Sequence, residues 1–146
     1  MTRVILDTNV LVSALLSARG APAKLLAAWE RKLFTLVISD ELLAELRAVL
    51  RRPFFQARLR KSDAELFAAS LHDLALCYPK PPPSGVARDA KDSFLLALAA
   101  VSEAQFLVTG DKSLLALRRH GATRIVTPAA MIEFLKTPDA LASERL

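Results

Sequence analysis

Short, strongly apolar runs recur along this chain, each followed closely by a helix signal, and that alternation limits the fold more than any other feature. Residues 3–6, 34–38, 75–78, 106–108 and 124–126 read as strands. Helical patterns fill the intervals at 10–16, 23–31, 40–51, 62–74, 94–101, 111–118 and 128–136. Strands this apolar cannot turn a face to water, so they predict a parallel sheet covered by helices on both sides. Punctuation agrees with the pattern. Ser39 is a good N-cap with Asp40 and Glu41 in the turn behind it, and Pro53 closes that helix. Ser62 and Glu65 form a capping-box spacing, and Pro128 suits a first helical turn. Residues 94–101 are apolar on every face, which predicts a fully buried helix.

With 146 residues the chain has room for one core. The segment from Pro79 through Pro81, Pro82, Pro83 and Ser84 to Gly85 reads as a stiff exposed loop and not a domain boundary, because neither half alone could close a core. One domain over 1–136 and a loosely held tail over 137–146 are expected. Cys77 is the lone cysteine and lies in an apolar run, so it should be buried and suits a reducing cytosol. There is no signal-like apolar stretch before Asp7 and no run of roughly 20 apolar residues, so a soluble, cytoplasmic protein without a membrane partner is expected. The net charge of +5 favours a polyanionic partner through counterion release.

Ligands of open parallel sheets bind beyond the carboxyl ends of the strands. Asp7 ends the first strand directly, and Asp111 follows residues 106–108 across Thr109 and Gly110. Asp92 opens the apolar helix. Glu45 lies mid-helix, about 40° outside the arc formed by Leu42, Leu43, Leu46, Val49 and Leu50 at roughly 100° per residue, so its carboxylate borders the core. Arg47 and Arg51 fall on the opposite face. Each acid also has a purely structural explanation: Asp89 as an N-cap with Asp92 in the first turn, and Asp111 as a second N-cap. Their joint placement argues for more, since four converging carboxylates repel one another and a divalent cation removes that cost. Hard oxygens of this kind suit magnesium or manganese.

Four pieces of the chain carry a family resemblance: Val4-Ile5-Leu6-Asp7-Thr8-Asn9-Val10; Ser39 with Glu45; Arg88-Asp89-Ala90-Lys91-Asp92 running into Phe94-Leu95-Leu96-Ala97-Leu98-Ala99; and Val108-Thr109-Gly110-Asp111. In this order they resemble the PIN-domain nucleases, especially the small bacterial and archaeal toxins of toxin-antitoxin pairs. The resemblance implies a three-layer α/β/α sandwich with a central parallel sheet of four to five strands. It implies an RNA-cutting site with one or two magnesium or manganese ions, and it carries catalytic and metal-binding roles onto Asp7, Glu45, Asp92 and Asp111. Asn9 and Thr109 match polar positions that support those acids, and Asp89 stands beside them. An antitoxin partner and a homodimer are implied as well.

Metal-assisted hydrolysis needs no side-chain nucleophile. Consistently, no serine or cysteine has an evident histidine partner, and His72 and His120 read as helix-surface and loop residues. For substrate, Arg47, Arg51, Arg52, Arg58, Arg60 and Lys61 form the densest basic stretch, and Arg88 and Lys112 flank candidate acids; a solvated face is the alternative. Three rival readings compete. A PIN-like module that binds RNA or antitoxin without cutting would be expected to lose acids first. A phosphate-accepting receiver wants an acidic pair at the first strand. A dinucleotide binder wants a glycine-rich loop, and the four glycines form none.

Overall fold

The computed structural model describes residues 1–79 and 90–137. The first strand, β1 (Arg3–Leu6), runs into α1 (Thr8–Leu16) and α2 (Ala21–Glu30); β2 (Thr35–Ser39) leads to α3 (Asp40–Leu50), α4 (Pro53–Gln56) and α5 (Lys61–Leu74). Then come β3 (Leu76–Tyr78), α6 (Ala90–Ser102), β4 (Phe106–Val108), α7 (Lys112–Leu117), β5 (Arg119–His120), β6 (Thr123–Val126) and α8 (Pro128–Lys136).

The strands form one sheet in the order β3-β2-β1-β4-β6-β5, parallel except for β5, which pairs antiparallel with β6. From β1 the chain steps outward to β2 and β3, then returns across the sheet to β4 on the other side of β1. Right-handed crossovers in opposite directions put their helices on opposite faces. The contacts agree: α1 packs on α2 and α3, α3 on α5, and α2 on α8, whereas α6 touches β2 and β5. This is the expected α/β/α sandwich, with a two-residue antiparallel edge strand added. The core is built from fully buried Val4, Ile5, Leu36, Val37, Phe106 and Leu107 in the central strands, closed by helix residues such as Leu25, Leu46, Leu71, Leu96 and Leu98.

Four local expectations change. Ser62 does not cap: α5 starts at Lys61 with Arg60 as its N-cap and no side-chain cap bond, so Ser62 is already inside the helix and its backbone is no longer extended. Pro53, expected to close the preceding helix, also begins a short one over Pro53–Gln56 that the sequence pattern does not include. Cys77 is exposed, because β3 is the outermost parallel strand and covers little of the core. The apolar helix α6 is buried from Leu95 to Ala99, but Val101 in its last turn is 52% exposed. Ser39 caps α3 as expected, accepting from the Leu42 N–H at 3.1 Å. Among the described residues no single helix is long and apolar enough to cross a membrane; α1 and α2 reach that length and composition only as a pair bent by 95°.

Candidate active site

Because β2 and β4 leave β1 in opposite directions, the carboxyl end of β1 is the switch point where ligands bind in such sheets. Asp7 sits there. Its N–H continues the sheet by donating to the Val108 carbonyl (2.9 Å), and its own carbonyl accepts from Val10 and Leu11 to begin α1. The residue is fixed by main-chain bonds on both sides. Its side chain has no solvent exposure, and Oδ2 accepts from the Thr109 hydroxyl at 2.8 Å.

Thr109 follows β4 and is equally buried. Its hydroxyl donates to Asp7 and accepts from the Asp111 N–H at 3.0 Å, so one side chain sets both acids. Asp111 is the N-cap of α7, with Oδ1 accepting from the Ser113 N–H at 2.8 Å. The Ser113 hydroxyl lies 2.6 Å from that same oxygen and 3.1 Å from Asp92 Oδ2. Asp92, in the first turn of α6, is 5% exposed. Glu45 is half-buried at the edge of the core, as its helical phase predicts, and Oε2 accepts from the Thr8 hydroxyl at 3.2 Å.

Asp7, Asp92 and Asp111 are therefore joined through Thr109 and Ser113, and Glu45 is tied to Thr8, the residue after Asp7. The structural and functional readings of Asp111 coexist: it caps a helix and faces Asp92 through a shared hydroxyl. Thr8 and Ser113 are missing from the sequence-derived set. Thr8 stood directly after Asp7 inside the first family-like piece but drew no role of its own, and for Ser113 the signal was its place two residues after Asp111. Asn9 is exposed in the first turn of α1. Asp89 and Arg88 lie outside the described residues. Lys112 is exposed beside Asp111.

The donor set consists of hard carboxylate and hydroxyl oxygens, the chemistry that magnesium and manganese prefer. Among the described residues no three carboxylates, imidazoles or thiols stand together as a ready-made chelating group. The acids are linked through hydroxyls, so an ion among them would also draw on water to complete its shell, as magnesium usually does.

Apart from the acids, a groove of about 690 Å³ opens between α3, α4 and α5. Leu50, Leu59 and Ala68 line it, with Arg47, Arg51 and Lys61 supplying cations and Glu65 one acid. Arg52, the N-cap of α4, is exposed nearby. Arg58 is engaged locally: its guanidinium lies 3.7 Å from the Phe54 ring centroid and donates to the Phe54 carbonyl at 2.8 Å.

Residues 3–113 match the sequence model of the PIN domain. Among solved structures, the chain is similar to VapBC2 from Rickettsia felis bound to a promoter DNA fragment, with 16% identity, a TM-score of 0.59, and coverage of 85% of this chain and 97% of that one. FitAcB from Neisseria gonorrhoeae is similar at 19% identity and a TM-score of 0.51, covering 86% and 97%. At these identities the two structures speak for the fold. No curated protein sequence matches.

Proposed function

The chain belongs to the PIN-domain family, and from that premise we propose that it is a magnesium- or manganese-dependent endoribonuclease, the toxin of a toxin-antitoxin pair. The observation that carries the nuclease reading is the linked set Asp7-Thr109-Asp111-Ser113-Asp92 at the switch point of the sheet. Acids from three separate segments, two of them buried, are tied together there through shared hydroxyls, an arrangement suited to a divalent cation.

When bound, a divalent ion supplies Lewis acidity, acidifies water and offsets charge on the phosphorane-like transition state. Asp7, Glu45, Asp92 and Asp111 would hold it, and the burial of Asp7 and Asp92 keeps bulk water from competing for their oxygens. Thr109 fixes Asp7 against Asp111, while Thr8 turns Glu45 toward the same edge. Asn9 and Asp89 are assigned supporting roles beside this set. Arg88 and Lys112 flank the acids, and Arg47, Arg51 and Arg52 extend positive charge along α3 toward α4, suited to an RNA backbone or to an acidic antitoxin segment. The similarity to VapBC2 and FitAcB supports the toxin role and an antitoxin partner. We assign the nuclease domain to residues 1–136, a homodimeric state and a cytoplasmic location to the same reading.

Replacing Asp7 by Asn tests the reading. Wild type should cut single-stranded RNA with magnesium or manganese and stop in excess chelator, and the variant should lose cleavage and ion binding while staying folded. Full cleavage by Asp7→Asn, or by wild type in chelator, refutes it. A folded wild type that binds RNA but cuts none with either ion would instead favour a binding module.

A further inference from the structure

We propose that Ser113 is a positioning residue that sets the spacing and orientation of Asp92 and Asp111 before a divalent ion arrives. The inference rests on the reading of those two acids as ion ligands. Its hydroxyl hydrogen-bonds to both, at 3.1 Å to Asp92 Oδ2 and 2.6 Å to Asp111 Oδ1. The two carboxylates are therefore held within two hydrogen-bond lengths of each other, although they come from different helices.

Two features give Ser113 this role in preference to simple capping. The cap of α7 needs only the backbone N–H of Ser113, which already donates to Asp111 Oδ1 at 2.8 Å. The hydroxyl adds a second contact on that same oxygen, which fixes the rotation of the Asp111 carboxylate, and it reaches 21 residues back along the chain to Asp92. A serine hydroxyl has one proton, so it can donate to only one of the two acids at a time. The bridge orders the pair and adds no charge of its own. Outer-shell partners of this kind typically change ion affinity by about 10- to 100-fold when removed.

Ser113→Ala separates the two jobs, because the N–H that caps α7 remains while the bridge disappears. Manganese binding is read directly on metal-free protein by the loss of the free-ion electron paramagnetic resonance signal on titration. The expected result is a manganese Kd raised about tenfold or more in Ser113→Ala and restored within about threefold in Ser113→Thr, which keeps the hydroxyl. The melting curve of the metal-free variant should stay close to wild type. In cleavage assays the metal concentration for half-maximal rate should rise in step, with kcat at saturating manganese largely kept and KM for RNA unmoved. Wild-type binding with an unchanged Kd in Ser113→Ala overturns the positioning role and leaves the nuclease reading standing. A shift that Ser113→Thr fails to restore also overturns it. Absence of manganese binding by wild type overturns both.

Discussion

Removing the Thr109 hydroxyl should cost more stability than its size suggests. Thr109→Val keeps the side chain's shape but deletes two hydrogen bonds, the one donated to Asp7 Oδ2 at 2.8 Å and the one accepted from the Asp111 N–H at 3.0 Å. Both Thr109 and Asp7 are without solvent exposure, so water cannot stand in for the lost donor at Asp7. A hydrogen bond to a charged group contributes about 1.5–3 kcal/mol, and a neutral one about 0.5–1.5 kcal/mol. The sum puts the variant about 2–4 kcal/mol below wild type, a large share of the roughly 5–15 kcal/mol that holds a domain of this kind together. Thr109→Ser keeps both bonds and loses one methyl, for about 1 kcal/mol. Urea unfolding in metal-free buffer at neutral pH measures both. The assignment to the Asp7 carboxylate is checked by repeating Thr109→Val in an Asp7→Asn background, where the acceptor is neutral and the penalty should shrink by about 1 kcal/mol. A Thr109→Val protein within about 0.5 kcal/mol of wild type, or a serine variant as damaged as the valine one, refutes the reasoning.

Charge should govern RNA affinity. If Arg47 and Arg51 meet phosphates from their groove, changing both to Gln should make the log-log salt slope of single-stranded RNA binding shallower by about 1.4, measured in chelator to suppress cleavage; an unchanged slope assigns the groove to a protein partner instead. At Cys77, exposed overall, the slight burial its sulfur has, then the nearby Asp40 and Asp73 carboxylates, push the thiol above its ordinary value. The folded protein thus holds this proton more tightly than the unfolded chain, so the thiol's contribution to stability is present at neutral pH and is lost as pH rises past the ordinary thiol value. Alkylation at pH 8 should be slower than that of free cysteine and should quicken in Asp40→Asn/Asp73→Asn; a rate matching free cysteine contradicts this.

The layered fold was legible because its signals are redundant. The core strands are so apolar that only a sheet buried on both faces accommodates them, and β1 and β4 emerge at their expected bounds. The shortest elements were not legible. The strand β5 has two residues, and its pairing with β6 depends on positive φ at Arg118, the C-cap of α7 just before it, and at Gly121 in the turn after it; the residue types around Arg118 do not advertise that conformation. Exposure of Cys77 depends on β3 lying at the sheet edge, a property of strand order that no local pattern encodes. For the site, positions just after strands pointed to Asp7 and Asp111, and helical phase put Glu45 at the core border. Ser113 and Thr8 escaped because hydroxyls are common at helix starts, where local capping already accounts for them.

The hydroxyls follow a rule that the linear sequence conceals. Each lies within two residues of one acid and hydrogen-bonds to a different, distant one. Thr8 follows Asp7 and reaches Glu45; Thr109 precedes Asp111 and reaches Asp7; Ser113 follows Asp111 and reaches Asp92. Each bond therefore ties one acid's segment to another's. Because Asp7 and Asp111 are also N-caps with set backbone geometry, every cross-link starts from a rigid point. Three neutral side chains thereby link the segments that carry the four acids. A lysine or arginine in any of those places would satisfy the acids more strongly, but it would also compete with a metal ion for them. Hydroxyls order the carboxylates without adding charge of their own, which is what the proposed cation site requires.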